Sequence, residues 1–200
     1  MTISLQHSSQ HKMKIGVLAL QGDFAEHVSK LADLGVETQP VRLPHQLKGL
    51  EGLIIPGGES TTIGKLATDF GLLDPMREFG RKHAIWGTCA GAIFIAKEIH
   101  KDQPRLGLMD ITVARNAFGR QVDSFETELD IPRLGKGGTF HAIFIRGPVI
   151  EAVGKDVEVL ANLPDGRIVA ARQGHWLATS FHPELTDDDR FHRFFLSLVD

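Results

Sequence analysis

The chain has 200 residues, 42% of them hydrophobic, and a formal net charge of −3 with the two signs interspersed. That is enough for one buried core of ordinary domain size, and it leaves no basic stripe for nucleic acid and no acidic tail. The longest apolar runs fall well short of the ~20 residues a bilayer span needs, and a lone cysteine excludes an internal disulfide, as expected of a cytoplasmic protein in a reducing compartment.

Residues 1–12, MTISLQHSSQHK, lack the apolar segment and cleavage site of a signal peptide. They are expected to be a flexible polar extension ahead of one domain over 13–200. KIGVLAL, residues 14–20, is a short apolar run that predicts a buried strand. Asp23 then offers an N-cap, and Phe24, Val28 and Leu31 share one face of a helix that Gly35 stops. EGLIIP, residues 51–56, predicts the next strand, ended by Gly57 and Gly58. A helix follows with Ser60 as its cap, and another spans about 72–82. HAIW predicts a further strand, and AGAIFIAKEI, residues 90–99, a helix.

This alternation predicts an α/β fold with a mostly parallel sheet flanked by helices. The second half changes character. DITVAR, FETELDI, TFHAIFIRG, VEVLANL, RIVAARQ and WLATSFH are short strand candidates separated by turn signals such as GKGG and PDG. They are expected as antiparallel additions to the sheet, closed by a helix over about 188–199.

The cysteine, Cys89, sits in Gly87-Thr88-Cys89-Ala90-Gly91, between a predicted strand and a predicted helix. A strand turning sharply into a helix crowds the backbone around its central residue, and flanking glycines relieve that crowding. The helix N-terminus favours thiolate over thiol, and its first N–H, that of Ala90, can receive an oxyanion. Inert burial is the common fate of a lone cysteine, but this setting favours a nucleophile.

A thiolate nucleophile needs a base and the base an orienting group. In SFHPEL, His182 follows an apolar strand and Glu184 stands two residues on. Pro183 pushes His182 toward extended backbone, where i and i+2 project to one side. Ten histidines in the chain make a plain surface role a serious competitor; the strand end and the paired carboxylate single this one out. No H-E-x-x-H pattern and no second thiolate are present, which argues against a metal site.

PGGESTT, residues 56–62, follows a strand but fails as a phosphate loop. Five residues separate Gly58 from Gly64-Lys65, and Leu66 stands where Ser or Thr is required. What remains is a loop whose N–H groups can approach a ligand, or a plain turn.

Together these stretches resemble the class I (triad) glutamine amidotransferases. LALQGDFAEH, PGGESTT, GTCAG, RNAFGRQVDSFE, FIRGP and SFHPEL are similar to one branch of that family, the glutaminase subunits of pyridoxal 5′-phosphate synthases, over nearly the whole chain from Met13. The resemblance implies a Cys89–His182–Glu184 triad and an oxyanion hole at Gly58 and Ala90. It also implies glutamine contacts from Gly58, Glu59, Ser60, Arg115, Ile145 and Arg146; an arginine suits an α-carboxylate and a glutamate an α-ammonium. It implies L-glutamine as substrate, no cofactor, and a synthase subunit as partner in a large hetero-oligomer. Gln21 and Asp23, in a loop at the same sheet edge, are expected to transmit activation by that partner. The competing readings are a glutaminase serving another acceptor, such as imidazole glycerol phosphate synthase, and a non-glutaminase cysteine hydrolase of similar fold.

Overall fold

A computed structural model describes residues 12–115 and 124–199. Residues 1–11 of the expected polar extension, and most of the GRQVDSFE stretch, lie outside the described residues.

The chain order is β1 (Lys14–Leu18), α1 (Phe24–Asp33), β2 (Glu37–Val41), β3 (Gly52–Ile55), α2 (Ser60–Asp69), α3 (Leu73–Gly80), β4 (Ala84–Thr88), α4 (Ala90–Ile95) and β5 (Ala96–Ile99). The second half adds β6 (Met109–Ala114), β7 (Ser124–Leu129), β8 (Phe140–Ile145), β9 (Val149–Val153), β10 (Glu158–Asn162), β11 (Ile168–Gln173), β12 (Trp176–Thr179) and α5 (Arg190–Leu196).

One ten-stranded sheet runs β2-β1-β3-β4-β12-β11-β9-β6-β5, with β10 paired to β11. Strands β2, β1, β3, β4 and β12 are mutually parallel neighbours, and antiparallel pairs join β12, β11, β9 and β6. Successive side chains go to opposite faces, as the pleat requires. Leu53, Ile55 and Ile85 enter a core under α2, α3 and α4, while Ile54 and Trp86 enter a second core with Leu31 of α1 and Phe191 and Phe195 of α5.

Four local expectations change. The helix expected over 90–99 stops at Ile95, and Ala96–Ile99 is a strand parallel to β6. All six residues of α4 are buried. A further turn would stack Lys97 on Ile93 and Glu98 on Phe94, inside the core; as an edge strand both are exposed. The β7–β8 ribbon does not join the main sheet. It lays Phe140 and Phe144 onto Phe181, with ring centroids 5.8 and 5.4 Å apart, and so packs by its apolar face rather than by its edge.

Asp23 precedes α1 but its side chain caps nothing. Glu59, not Ser60, is the N-cap of α2, its carboxylate accepting the Thr61 N–H at 3.3 Å. Two strands carry too weak a pattern to be expected: β2 (ETQPV) is polar and contains Pro40, which an edge strand tolerates, and β9 follows directly on the Gly147-Pro148 turn signal. Among the described residues no helix is long and apolar enough to cross a membrane.

Candidate active site

Four adjacent parallel strands, β1, β3, β4 and β12, end at one edge of the sheet, and the segments leaving them meet there. This is where open α/β sheets bind ligands. β4 delivers Cys89, β12 delivers His182 and Glu184, β3 delivers Gly57 to Ser60, and β1 delivers Gln21 to Asp23.

Cys89 is buried and stands at φ +48°, ψ −107°, a conformation L-residues rarely adopt. Its N–H donates to the Thr179 carbonyl at 2.8 Å, and its Sγ lies 3.9 Å from the Ile145 carbonyl oxygen. The flanking glycines are sterically required. A Cβ on Gly87 would lie 2.4 Å from the Gly91 backbone, and one on Gly91 would lie 1.9 Å from the Ile55 carbonyl oxygen. Because α4 is only six residues long, its positive end is local: the first N–H groups matter more than a long helix dipole.

His182 is 3% exposed and Glu184 4%. His182 Nδ1 donates to Glu184 Oε1 at 2.7 Å, and Asp23 Oδ2 lies 3.6 Å from the same nitrogen. Burial disfavours the charged imidazole, but the neighbouring Cys89 thiol and the Glu184 hydrogen bond outweigh it and push the His182 pKa up to about 10. Burial in turn raises the pKa of Glu184, against the His182 bond that lowers it. His182 Nε2 is buried with no hydrogen-bond partner among the described residues, which leaves that nitrogen available to substrate.

The Gly57–Glu59 loop lies against this pair. A Cβ on Gly57 would come within 2.5 Å of His182 Cε1. The Gly57 carbonyl accepts the Asp23 N–H at 3.2 Å, and Gln21 Oε1 accepts the Glu59 N–H at 2.6 Å. Gln21 and Asp23 therefore hold both ends of the Gly57–Gly58–Glu59 turn. Gly58 stands at φ +149°, where a side chain would be strained.

The expected glutamine contacts fall into two groups. Arg115 Nη2 pairs with Glu59 Oε1 at 2.7 Å, so the two are partners of each other. Burial opposes ionisation of Glu59, yet its bonds to Thr61 and the Arg115 charge keep its pKa below the usual value. Ile145 ends β8 and Arg146 follows it at φ +46°, and the ribbon is tied to the site by the His182 N–H donating to the Ile143 carbonyl at 2.9 Å. Ser60 is buried with its hydroxyl unpaired among the described residues.

Asp23, His182 and Glu184 bring one ligand atom each within 4.8 Å of one another, but His182 Nδ1 is committed to Glu184. The geometry suits a triad better than a metal.

Two kinds of residue escaped the sequence reading. Gln103 is buried and accepts from Arg115 Nη1 at 3.3 Å, with its Nε2 unpaired among the described residues. His27, Thr88 and His192 form a buried polar group behind Glu184. A signal for the latter existed: His27 shares the apolar face of α1 with Phe24 and Leu31, and His192 sits among the phenylalanines of α5. Nothing in local sequence marks Gln103.

Residues 17–200 match the profile of the SNO glutamine amidotransferase family. The pyridoxal 5′-phosphate synthase subunit PdxT of Herpetosiphon aurantiacus is 63% identical over 191 residues, covering 93% of this chain and all of that protein. The PdxT subunit of Carboxydothermus hydrogenoformans is 57% identical over 189 residues, covering 94% of this chain and 98% of that protein. A crystal structure of a glutamine amidotransferase, 55% identical, superposes with a TM-score of 0.87 over 92% of this chain and 97% of that one. The PurLQS structure from Thermotoga maritima shares the fold at 18% identity, with a TM-score of 0.72 over 93% of this chain and 98% of that chain.

Proposed function

The chain belongs to the SNO glutamine amidotransferase family, and from that premise we propose that it hydrolyses L-glutamine to L-glutamate and ammonia as the glutaminase subunit of a pyridoxal 5′-phosphate synthase. The observation that carries the chemistry is the buried His182–Glu184 pair, 2.7 Å between Nδ1 and Oε1, coupled to a cysteine at φ +48°.

The Cys89 thiolate attacks the side-chain amide carbon of glutamine. The N–H groups of Ala90 and Gly58 receive the oxyanion. His182, held as imidazolium by Glu184, gives its Nε2 proton to the departing ammonia and then takes one from the water that opens the thioester. Glu59, Ser60, Arg115, Ile145 and Arg146 hold the amino-acid end of the substrate. No step needs a metal or cofactor.

Ammonia passes to the synthase subunit within a cytoplasmic hetero-oligomer, and the glutaminase domain spans 13–200. Docking of that subunit acts on the Gly57–Gly58 peptide through Gln21 and Asp23. A glycine-glycine peptide rotates at little steric cost, and one oxyanion donor is worth ~10²–10³ in turnover.

The test is glutamate release by the purified chain with synthase subunit titrated in. Turnover should rise on addition and vanish in Cys89→Ser at every ratio. Retention of more than about a few per cent of activity in Cys89→Ser, against the several powers of ten expected from loss of a nucleophile, would exclude the mechanism. Full activity without partner would exclude the activation.

A further inference from the structure

Behind the His182–Glu184 pair lies a buried polar chain that the reaction does not use. His27 of α1 and His192 of α5 are fully buried. His27 Nδ1 lies 3.1 Å from His192 Nε2. His27 Nε2 lies 3.2 Å from Thr88 Oγ1 and 3.4 Å from Glu184 Oε2. Among the described residues, neither Glu184 Oε2 nor His192 Nδ1 has a hydrogen-bond partner, and His27 Nε2, at 3.4 Å, approaches Glu184 Oε2 at ion-pair distance without completing a hydrogen bond.

The protons on these two rings can be assigned. Burial holds both neutral. The His27 pKa is lowered by burial, then by His192 and His182. That of His192 is lowered to about 4 by burial, then Lys30, with Asp189 opposing. One proton must lie between Nδ1 of His27 and Nε2 of His192. If His27 carried it, His192 would hold its own proton at Nδ1, a buried N–H with no acceptor. The His27 Nε2 lone pair would then face the Glu184 carboxylate. If His192 carries it, the one orphan is a lone pair at His192 Nδ1, and His27 presents Nε2–H to both Thr88 and Glu184. Buried N–H groups without acceptors are rare and costly, so the second arrangement holds.

We propose that His27, fixed as the Nε2–H tautomer by His192, is a positioning residue of the triad, steadying the outer oxygen of Glu184 while the inner oxygen holds His182. The inference rests on Cys89, His182 and Glu184 being that triad. His192 faces it from α5. Thr88 and the edge-on Trp86 ring, 5.5 Å between centroids, face it from β4. Glu184 and His182 face it from the segment after β12, with Asp23 beyond His182; Lys30 and Asp189 act on His192. Among these, His27 Nε2–H is the donor placed for Glu184 Oε2. Without it the buried carboxylate ionises less readily, and the grip on the imidazolium weakens at low pH.

The test uses the full chain saturated with synthase subunit. His27→Leu should lower kcat by about 10- to 100-fold, the scale of one hydrogen bond to a charged group. KM should stay unchanged and the acidic limb of kcat should move to higher pH. His27→Gln, whose amide N–H reaches toward the same place, should recover most of the loss. A kcat for His27→Leu within about two-fold of the parent, or equal losses in Leu and Gln variants with an unmoved acidic limb, would overturn the proposal. Should His27→Leu fail to fold, long-range ¹⁵N–¹H spectra of histidine-labelled parent chain at neutral pH decide. Neutral Nε2–H on both rings is expected, and Nδ1–H on either overturns it. Cys89→Ser runs alongside. Activity there would overturn the triad itself, whereas an inactive Cys89→Ser beside an unaffected His27→Leu overturns the positioning role alone.

Discussion

Cys89 and His182 each depend on a neighbour's restraint more than on their own chemistry. Cys89 stands at φ +48° with its N–H held by the Thr179 carbonyl at 2.8 Å, and His182 is held by Glu184 at 2.7 Å. The two partners of Cys89 should therefore respond differently to substitution. His182→Asn removes the proton carrier and should cost about 10²–10⁴ in kcat. Glu184→Gln keeps the imidazole and disturbs its tautomer and charge, so it should cost less. Steady-state glutamate production with saturating synthase subunit measures both; a Glu184→Gln variant slower than His182→Asn would reverse the roles. The proposed triad was legible in the sequence because each member announces itself locally: glycines around the cysteine, a proline between histidine and glutamate. The network that steadies Glu184 was not. His27, Thr88 and His192 are distant from one another in the chain, and only the packing of α1 and α5 against β4 brings them together.

At the scale of elements, the tightest constraint is the approach of α4 to β3. A Cβ on Gly91 would stand 1.9 Å from the Ile55 carbonyl oxygen, and that carbonyl belongs to a strand paired on both sides. Neither partner can yield as a flexible side chain would. Gly91→Ala should thus cost about 3 kcal/mol or more, beyond ordinary overpacking, and should lower turnover because α4 carries the Ala90 N–H. Urea unfolding followed by circular dichroism would show it; an unchanged midpoint would mean that α4 slides away freely. The same element explains where the expected helix stops short. AGAIFIAKEI reads as one helix, but its first six residues are buried all round. A helix of that kind has no polar face on which to place Lys97 and Glu98, so the chain leaves it for an edge strand. The ribbon of β7 and β8 shows the complementary case: alternation revealed two strands, and only tertiary packing decided that they cover the core instead of extending the sheet.

For the whole molecule, the histidines set opposite slopes of stability against pH on either side of neutrality. His182 has its pKa raised to about 10 from 6.5, so its contribution is complete below 6.5 and is lost as pH rises toward 10. His192 has its pKa lowered to about 4 from 6.5, and His27 is also lowered. Between those values the unfolded chain binds protons that the folded chain refuses, so stability falls as pH drops from 6.5 toward 4. Each fully affected group contributes up to about 1.36 kcal/mol per pH unit in that window. Glu184, raised by burial, acts with the opposite sign near its own range and blunts the slope. The separation is therefore made by difference. His192→Phe keeps an aromatic ring beside Trp86, where the native ring sits edge-on at 4.9 Å between centroids, and removes one titrating site. Thermal midpoints measured from pH 4 to 7 should fall with acid in the parent and fall less steeply in His192→Phe, the two curves converging toward the acid end. Parallel curves would mean that His192 binds its proton equally well folded and unfolded. The His192 ring would then take up its proton in the native state below its ordinary pKa of about 6.5.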